Sequence, residues 1–328
     1  MGCWWSGDLR RCGVLRVPMK SGGVSAAGGG WVLLNASLTR PGTVRGARSE
    51  SQRGRARVSS SDGGFAVAGY GALSDVYEWL IGDDRLTPAE AAAVYCRDVV
   101  GSVPPNARVL DCACGTGQLA VGLASLGLDV VAADASSGMV RRTEKVADEQ
   151  GVSLRALRAS WDELPDHLED STFDLVFCVG NSLGHAEGAA GRLAALAAMS
   201  RLLNPGGRLM LTSRNWELVR SAGSRVDVRD RLIRRNDRDA VVSYYWQIEQ
   251  RWEQEHFLEI VVAQIEPDGA VRACSERLSI WPYRYEDLVA QLRSVGLTVQ
   301  STTFDPESDG YLVVASRDQA RGTSESAR

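Results

Sequence analysis

The stretch RVLDCACGTGQLA at residues 108–120 decides the fold prediction. Its apolar pair Val109–Leu110 ends in an acid at Asp111, small residues fill positions 113–117, and a helical pattern runs from 118 to 126. This order predicts a strand, a tight turn and the start of a helix. Small residues let a ligand approach the backbone, and a helix N-terminus presents free N–H groups. The stretch therefore predicts a ligand-binding turn on a parallel sheet.

Strand and helix patterns alternate after this stretch. The predicted strands are 109–111, 129–134, 154–159, 173–179 and 208–212, and the predicted helices are 118–126, 138–150 and 190–203. Two further helices are predicted earlier, near 76–81 and over 88–100, with a break at 82–85, and a turn is predicted at 204–207. Alternation of this kind indicates crossover connections on a parallel sheet.

The pattern changes between residues 232 and 283. Apolar and polar residues alternate over 240–249, 256–266 and 270–281, which predicts an antiparallel meander added to the α/β core. A helix over 285–295 and strands over 298–303 and 310–316 follow. We expect a domain over 65–317 with an antiparallel insertion at about 228–283, and a flexible tail over 318–328.

Composition limits the classes of protein that fit this chain. The 328 residues carry a net charge of −4, but residues 1–61 hold ten Lys/Arg against two acids, so this part is +8 and the remainder −12. The acidic body argues against wholesale nucleic-acid binding. Seven scattered cysteines favour free thiols in a reducing compartment, and three histidines argue against a histidine-rich metal site. No run approaches the roughly 20 apolar residues of a membrane helix, and we expect a cytoplasmic protein.

Residues 1–64 are rich in Gly, Ser and Arg and show no sustained apolar periodicity, so we expect a disordered basic extension. A functionless tail or an over-extended gene start, an organelle transit peptide, an N-myristoylated start at Met1-Gly2-Cys3 and an RNA-binding arm all remain open.

Chemistry-bearing residues follow four consecutive predicted strands. They are the 111–117 loop, Asp134, Ser160-Trp161-Asp162 and Val179-Gly180-Asn181-Ser182. Carboxyl ends of parallel strands meet at one edge of a sheet, where open α/β sheets bind ligands. Asp134 could accept both ribose hydroxyls of a nucleoside, and the Trp161 indole could stack on its base. Asn181 would then lie where a reacting group enters.

Four motifs resemble those of class I S-adenosylmethionine-dependent methyltransferases. They read LDCACGTG (110–117), VVAADASSGM (130–139), FDLVF (173–177) and LLNPGGRLML (202–211). The resemblance implies a Rossmann-like, seven-stranded methyltransferase sheet with helices on both faces, covering roughly residues 70–317. It implies S-adenosylmethionine as cofactor. The residues expected to line the cofactor include Asp111, Ala113, Gly115, Gly117, Ala135, Ser136, Met139 and Val179.

Within that superfamily the chain is similar to glycine N-methyltransferase and the glycine/sarcosine methyltransferases. The segments IGDDR (81–85), DCACGTG (111–117), GNSLGH (180–185) and SRNWE (213–217) carry the similarity. It implies that Arg85 holds the methionine carboxylate of the cofactor, Asp134 the ribose, and Ser160 with Trp161 the adenine. Asn181 and Arg214 would face the acceptor, with Arg214 binding its carboxylate. A guanidinium fork suits a carboxylate.

Two tyrosine positions are weaker candidates for hydroxyls near the transferring methyl group: Tyr70, and Tyr244 or Tyr245. The family's glycine enzymes carry a tyrosine-rich segment shortly after the RNY motif, whereas this chain reads SRVDV at 224–228, and Trp216 stands in place of the usual tyrosine. The resemblance also implies homo-oligomers in which an N-terminal segment can reach a neighbouring site.

The sequence thus predicts N-methylation of a small amine, an amino acid or a related compound, without a metal. Two alternatives stay open. One is the same fold acting on an oxygen, nitrogen or carbon of a natural product. The other is a non-catalytic cofactor-binding or RNA-associated protein.

Overall fold

The computed structural model describes residues 70–96, 106–169 and 172–318. The predicted basic extension at 1–64 lies outside the described residues, as does the tail after residue 318.

Twelve strands and seven α-helices make up the described part of the chain. The strands are β1 Arg108–Asp111, β2 Asp129–Asp134, β3 Arg155–Arg158, β4 Phe173–Cys178, β5 Leu203–Arg214, β6 Arg225–Val228, β7 Ile233–Arg235, β8 Arg238–Gln247, β9 His256–Ile265, β10 Val271–Ile280, β11 Leu297–Thr302 and β12 Gly310–Arg317. The helices are α1 Pro88–Cys96, α2 Gln118–Ser125, α3 Ser137–Gln150, α4 Leu164–His167, α5 Gly188–Leu202, α6 Trp216–Ser221 and α7 Tyr285–Ser294. Short 3-10 helices cover Ser74–Trp79, Asp83–Arg85 and Ser182–His185.

The main sheet has seven strands in the order β11-β12-β5-β4-β1-β2-β3. Strands β3, β2, β1, β4 and β5 pair in parallel, and β12 pairs antiparallel with both β5 and β11. The strand order reverses at β1, which has β2 on one side and β4 on the other. Ligands bind at such a switch point in open α/β sheets, outside the carboxyl ends of the strands. The predicted loop at 111–117 begins at this point.

Each face of this sheet carries a hydrophobic core, because successive residues of a strand point to opposite faces. Val109 packs with the helices α1 and α2 in one cluster, and its neighbour Leu110 packs with α5 and α7 in the other. The helices therefore cover both faces, as the sequence predicts.

The antiparallel addition is a second sheet with the order β10-β9-β8-β6, and β7 pairs with β8. Its inner face presents Val242, Trp246, Ile260 and Leu278, which are buried in the same cluster as Leu110 of the main sheet. The predicted meander corresponds to β8, β9 and β10. The addition begins at Arg225, slightly before the predicted boundary near 228.

Several boundaries differ from the predictions. Strand β5 extends to Arg214, so Arg214 ends a strand; the predicted turn at 204–207 lies within β5, where the register with β4 shifts. Residues 76–79 belong to the 3-10 helix Ser74–Trp79 instead of an α-helix, and α1 is described only to Cys96. Helix α6 and strands β6 and β7 were not predicted. They span six, four and three residues, which is too short for an apolar period to show.

Candidate active site

The loop after β1 is held in place by its backbone. The N–H of Cys112 donates to Phe177 O of β4 at 2.9 Å, and the N–H of Cys114 donates to Ala133 O of β2 at 2.9 Å. Gly115 and Gly117 adopt φ values of 55° and 89°, in the left-handed region that favours glycine. A Cβ on Gly117 would lie 2.8 Å from the Thr143 backbone. The loop is thus wedged between two neighbouring strands and α3.

Asp134 ends β2 beside this loop. Its Oδ2 accepts the N–H of Gly115 at 3.0 Å, and its Oδ1 accepts the N–H of Ser136 at 2.8 Å. Burial raises the pKa of this carboxyl, and the two N–H donors oppose the shift. Because a carboxylate offers about four lone-pair sites, Asp134 can accept further hydrogen bonds from a ligand's hydroxyls.

Asp111 lies beneath the loop and is buried. Burial raises the pKa of its carboxyl to about 7, opposed by the N–H of Ala113 and assisted by the nearby Asp134. Its Oδ1 is buried and accepts no hydrogen bond from any described residue. A buried oxygen of this kind is expensive to leave unpaired, so it marks a place where a donor is needed.

The predicted base-binding pair Ser160 and Trp161 follows β3. The indole Nε1–H of Trp161 donates to Cys112 O at 2.9 Å, which fixes the half-buried ring against the loop. The N–H and the hydroxyl of Ser160 both donate to Glu163 Oε2, at 2.8 and 2.7 Å. The hydroxyl of Ser160 can therefore meet a ligand only as an acceptor. The adenine role of both residues stays a prediction.

The other residues predicted to line the cofactor occupy the same edge of the sheet. Ser136 caps α3 by accepting the N–H of Met139 at 3.4 Å, and the Met139 side chain is buried. Ala135 follows Asp134 directly, and Val179 is buried just beyond β4. The structure thus brings these positions together with the loop, and their contact with a cofactor stays a prediction.

Past β4 the backbone turns sharply at Gly180 and Asn181, whose φ values are 78° and 68°. A left-handed asparagine is uncommon and draws attention to the position. The N–H of Gly180 donates to Thr212 Oγ1 at 2.9 Å, which pins this turn to β5. Asn181 Oδ1 is buried without a hydrogen-bond partner among the described residues. Asn181 therefore carries a second unsatisfied oxygen at the mouth of the sheet.

Tyr70 and His185 form a hydrogen-bonded pair. His185 Nδ1 lies 2.9 Å from Ser279 O, and Nε2 lies 3.1 Å from the Tyr70 hydroxyl. Because a carbonyl oxygen only accepts, Nδ1 carries the proton of the neutral ring and Nε2 accepts from Tyr70. Burial lowers the pKa of His185 and raises that of Tyr70, so both stay neutral near pH 7. The Tyr70 oxygen keeps its lone pairs for other contacts.

Arg214 is a half-buried cation at the end of β5. Its guanidinium carbon lies 5.4 Å from the centre of the Trp246 ring, and it forms no ion pair with a described residue. Burial lowers the pKa of Arg214, and its interactions with Tyr244 and Tyr70 oppose the shift. The structure thus brings Tyr70 and Tyr244, two of the predicted acceptor-side residues, near Arg214, and the nearby Asp309 carboxylate forms no ion pair with this cation.

Arg85 lies on the short turn Asp83–Arg85, near the other end of the site. Its Nε lies 3.4 Å from Asp84 Oδ1, and its side chain also bonds Tyr95. Asp83 instead pairs with Arg235 at 2.7 Å and with Arg231 at 3.1 Å. The role of Arg85 in holding a carboxylate stays a prediction.

Tyr77 belongs to the site although the sequence analysis did not select it. Its Cε1 lies 3.8 Å from where a Cβ on Gly115 would stand, and its ring meets that of Tyr70 edge-on at 5.6 Å. Burial raises its pKa to about 12, and Asp134 adds to the shift. In the sequence, Tyr77 is one of several apolar residues of a predicted helix. The only feature that points to a binding role is its position shortly before Arg85.

Known proteins resemble this chain over part of its length. Residues 109–207 match the family described as "Methyltransferase domain". The chain is 34% identical over 116 residues to the glycine/sarcosine N-methyltransferase of Aphanothece halophytica, covering 35% of this chain and 43% of that protein. It is 33% identical over 170 residues to the glycine N-methyltransferase of Mus musculus, covering 47% of this chain and 55% of that one. The matches thus span about half the length of these relatives.

These matches support a class I methyltransferase domain in this chain. The fold of the sugar N-methyltransferase KedS8 from Streptoalloteichus is similar, with a TM-score of 0.60 and 22% identity over 76% of this chain and 95% of that one. The amino pentose methyltransferase CalS10 from Micromonospora echinaspora gives a TM-score of 0.60 and 21% identity over 76% and 98%. The predicted S-adenosylmethionine-dependent family and the Rossmann-like fold are both confirmed.

The residues of the methyltransferase domain fit S-adenosylmethionine, the cofactor of this family. The loop has no Cβ at Gly115 and Gly117, the Asp134 carboxylate can accept further hydrogen bonds, and Asp111 Oδ1 accepts none from the described residues. The described residues contain no group of three or more His, Cys, Asp or Glu side chains that could hold a metal. No helix among them has the length and apolar character needed to cross a membrane.

Proposed function

We propose that the chain transfers a methyl group from S-adenosylmethionine to the amine nitrogen of a small carboxylate-bearing acceptor such as glycine or sarcosine. The observation that carries the proposal is Arg214, a half-buried guanidinium that forms no ion pair with any described residue. Burying a charge without a partner is unfavourable. An acceptor carboxylate would supply that partner.

In this proposal the cofactor binds at the edge of the main sheet around β1. Asp134 would accept the ribose hydroxyls, Trp161 would lie against the adenine, and Arg85 would bind the methionine carboxylate, while the backbone of the 113–117 loop lies alongside. When bound, the cofactor supplies a methyl group on a sulfonium, whose sulfur is a good leaving group.

The acceptor is oriented by two residues of the main sheet, one at the end of β5 and one just past β4. Arg214 binds its carboxylate with paired N–H donors, and Asn181 Oδ1 accepts one N–H of its amine. These two contacts direct the nitrogen lone pair toward the cofactor. The rings of Tyr70, Tyr77 and Tyr244 keep water out. A neutral amine is itself the nucleophile, so the chain acts mainly by positioning, and the neutral His185 need not act as a base.

The relatives named above support this acceptor class, because two of them are N-methyltransferases named for glycine or sarcosine. The family match at residues 109–207 includes the Asp111–Gly117 loop. The acceptor itself remains part of the proposal, since the matches span only about half of each relative.

A second candidate is methylation of a natural product on nitrogen, oxygen or carbon. It is favoured by strand β6, where Arg225 and Asp227 form an ion pair at 2.9 Å in the segment that is tyrosine-rich in the glycine enzymes. In that case Arg214 would have a structural role over Trp246.

The proposal is tested by incubating the chain with labelled S-adenosylmethionine and a panel of acceptors, followed by mass spectrometry. The panel holds glycine, sarcosine, dimethylglycine, larger amino acids and carboxylate-free amines. We expect methylation of a carboxylate-bearing amine, and for Arg214→Ala a loss of about 100-fold in kcat/KM, chiefly through KM, because a charge-assisted contact is removed. Arg272→Ala removes an exposed arginine of β10 and serves as the matched control. Activity confined to carboxylate-free acceptors, unchanged in Arg214→Ala, would contradict the proposal.

A further inference from the structure

The backbone just after Tyr70 is held by a single carboxylate from the second sheet. Glu276 Oε1 accepts the N–H of Gly71 at 3.0 Å, and its Oε2 accepts the N–H groups of Ala72 and Leu73, each at 3.0 Å. These N–H groups lie at the start of the 3-10 helix Ser74–Trp79, whose N-cap residue Leu73 offers no side-chain acceptor. Helix starts leave such donors unpaired, so Glu276 supplies from a distant strand the cap that the local sequence lacks.

Tyr70 needs such external support because its backbone is strained. Its φ of 67° lies in the left-handed region, which is unfavourable for a residue with a Cβ. Such a conformation persists only where the surroundings enforce it. The described residues supply two kinds of constraint. Glu276 and Cys274 bind the backbone of 71–73, the latter through Sγ to Ala72 O at 3.1 Å, and His185 accepts the Tyr70 hydroxyl.

Strand pairing puts Glu276 in register with the other side of the site. Ile260 of β9 is the partner of Glu276 on β10 and of Tyr244 on β8. The three residues therefore form one row across the inner face of the second sheet. Tyr244, at one end of this row, interacts electrostatically with Arg214, and Glu276, at the other end, holds the Tyr70 turn. One rigid row thereby sets the separation of the two tyrosines.

We propose that Glu276 is a positioning residue for methyl transfer, which holds Tyr70 in its left-handed conformation through the three backbone N–H groups of 71–73. This inference rests on the proposed function, in which Tyr70 lies beside the reacting groups. Glu276 itself touches neither cofactor nor acceptor. Its removal changes the placement of the Tyr70 hydroxyl and leaves the cofactor loop and Arg214 as they are.

The first test measures the Tyr70–His185 hydrogen bond directly and needs no acceptor. The chain holds three histidines, so a sample labelled with nitrogen-15 histidine gives few signals to assign. Tyr70→Phe removes the bond to Nε2 and defines the shift of His185 without it. We expect Glu276→Gln to move the His185 Nε2 signal toward that value, and the amides of 71–73 to exchange faster with deuterium. Glu259→Gln, a carboxylate on the outer face of β9, is the matched control and should leave both unchanged.

The second test measures catalysis. We expect Glu276→Gln to lower kcat about 10-fold or more, since small misplacements of this kind are costly, with the Kd for S-adenosylmethionine and the acceptor KM within about twofold. The loss should largely disappear in the Tyr70→Phe background, because both changes remove the same contact. Glu276→Asp keeps the charge and shortens the reach, so it should show the same pattern at smaller amplitude, and it replaces Glu276→Gln if that variant does not fold.

The outcomes separate this inference from the proposed function. A wild-type chain that methylates no amine defeats the proposed function, whereas the His185 signal still decides whether Glu276 positions Tyr70. An unchanged His185 signal overturns the inference even if Arg214→Ala behaves as proposed. A kcat loss that is equally large in the Tyr70→Phe background also overturns it, because Glu276 would then act by another route.

Discussion

At the scale of single residues, Asp111 links the stability of the cofactor loop to pH. Burial raises its pKa to about 7 in the folded chain, against an unfolded value near 4. The folded state therefore binds more protons than the unfolded state between these two values. The stabilising contribution of the protonated form is complete below about pH 4 and is lost as the pH rises through about 7.

We expect Asp111→Asn to remove this pH dependence. In the wild type without cofactor, the Asp111 contribution lowers the free energy of unfolding by up to about 1.4 kcal/mol per pH unit across that window. The measurement is denaturant unfolding at several pH values between 5 and 8, with Asp148→Asn, an exposed carboxylate of α3, as control. If Asp111→Asn and wild type lose stability with the same slope, the assigned pKa is wrong.

Some residues of the candidate site could be predicted from the sequence, and others could not. Asp134, the 111–117 loop and Asn181 were predicted because each follows a strand in a motif that the chemistry requires. Tyr77 and Glu276 were not. Tyr77 looks like an ordinary apolar helix position, and Glu276 alternates with apolar residues like any strand residue. Their roles arise from contacts with residues 38 or more positions away, Gly115 in one case and Gly71 in the other.

At the scale of elements, the junction of the loop with α3 depends on Gly117. Two effects disfavour a side chain there: the φ of 89° and the 2.8 Å approach of a Cβ to the Thr143 backbone. Gly127, just past α2, has a φ of 85° and nothing within 4 Å of its Cβ position. The pair thus separates backbone strain from collision.

We expect Gly127→Ala to destabilise the fold by about 1–2 kcal/mol, from strain alone. Gly117→Ala should lose roughly 1–3 kcal/mol more because the packed neighbours must move, and it alone should weaken S-adenosylmethionine binding. Chemical denaturation gives the first comparison, and titration calorimetry gives the second. If both variants lose the same unfolding free energy and cofactor affinity is unchanged, the contact between Gly117 and α3 does not limit the size of the side chain at residue 117.

Elements differ in how well their sequence predicts them. Long strands and helices of the main sheet carry enough residues for a period to show, and their bounds agree within a few residues except at the start of β5, which lies five residues before the predicted one. The six-residue α6 depends instead on Asn215, whose side chain accepts the N–H of Leu218 at 3.5 Å, and on the burial of Trp216. Strand β7 exists because it pairs with β8. Such elements are set by tertiary contacts, which a local pattern does not contain.

At the scale of the whole molecule, the second sheet ties together the two sides of the site. Arg229 donates to Leu80 O at 3.1 Å and to the Tyr244 hydroxyl at 3.2 Å. Arg235 donates to Glu78 O and Ile81 O, each at 3.1 Å, and pairs with Asp83. The segment that leads to Arg85 is therefore held by the same sheet that presents Tyr244 and Glu276. A change at Arg229, which binds both Leu80 O and the Tyr244 hydroxyl, should thus affect both sides.

The same arrangement predicts which part of the N-terminal sequence the site requires. The contacts of Glu276 begin at Gly71, and Tyr70 is the first residue that the structure describes. We therefore expect a chain lacking residues 1–64 to keep its kcat and its Kd for S-adenosylmethionine within about twofold. A chain lacking residues 1–73 loses Tyr70 and the three N–H groups bound by Glu276, and its kcat should fall at least as far as in Glu276→Gln. Steady-state kinetics and calorimetry on the two truncations give the comparison. A large loss of activity in the chain lacking residues 1–64 would contradict this expectation and indicate that the basic extension contributes to the site. If the full chain binds RNA in a salt-sensitive manner and the shorter chain does not, RNA binding is a separate function of that extension.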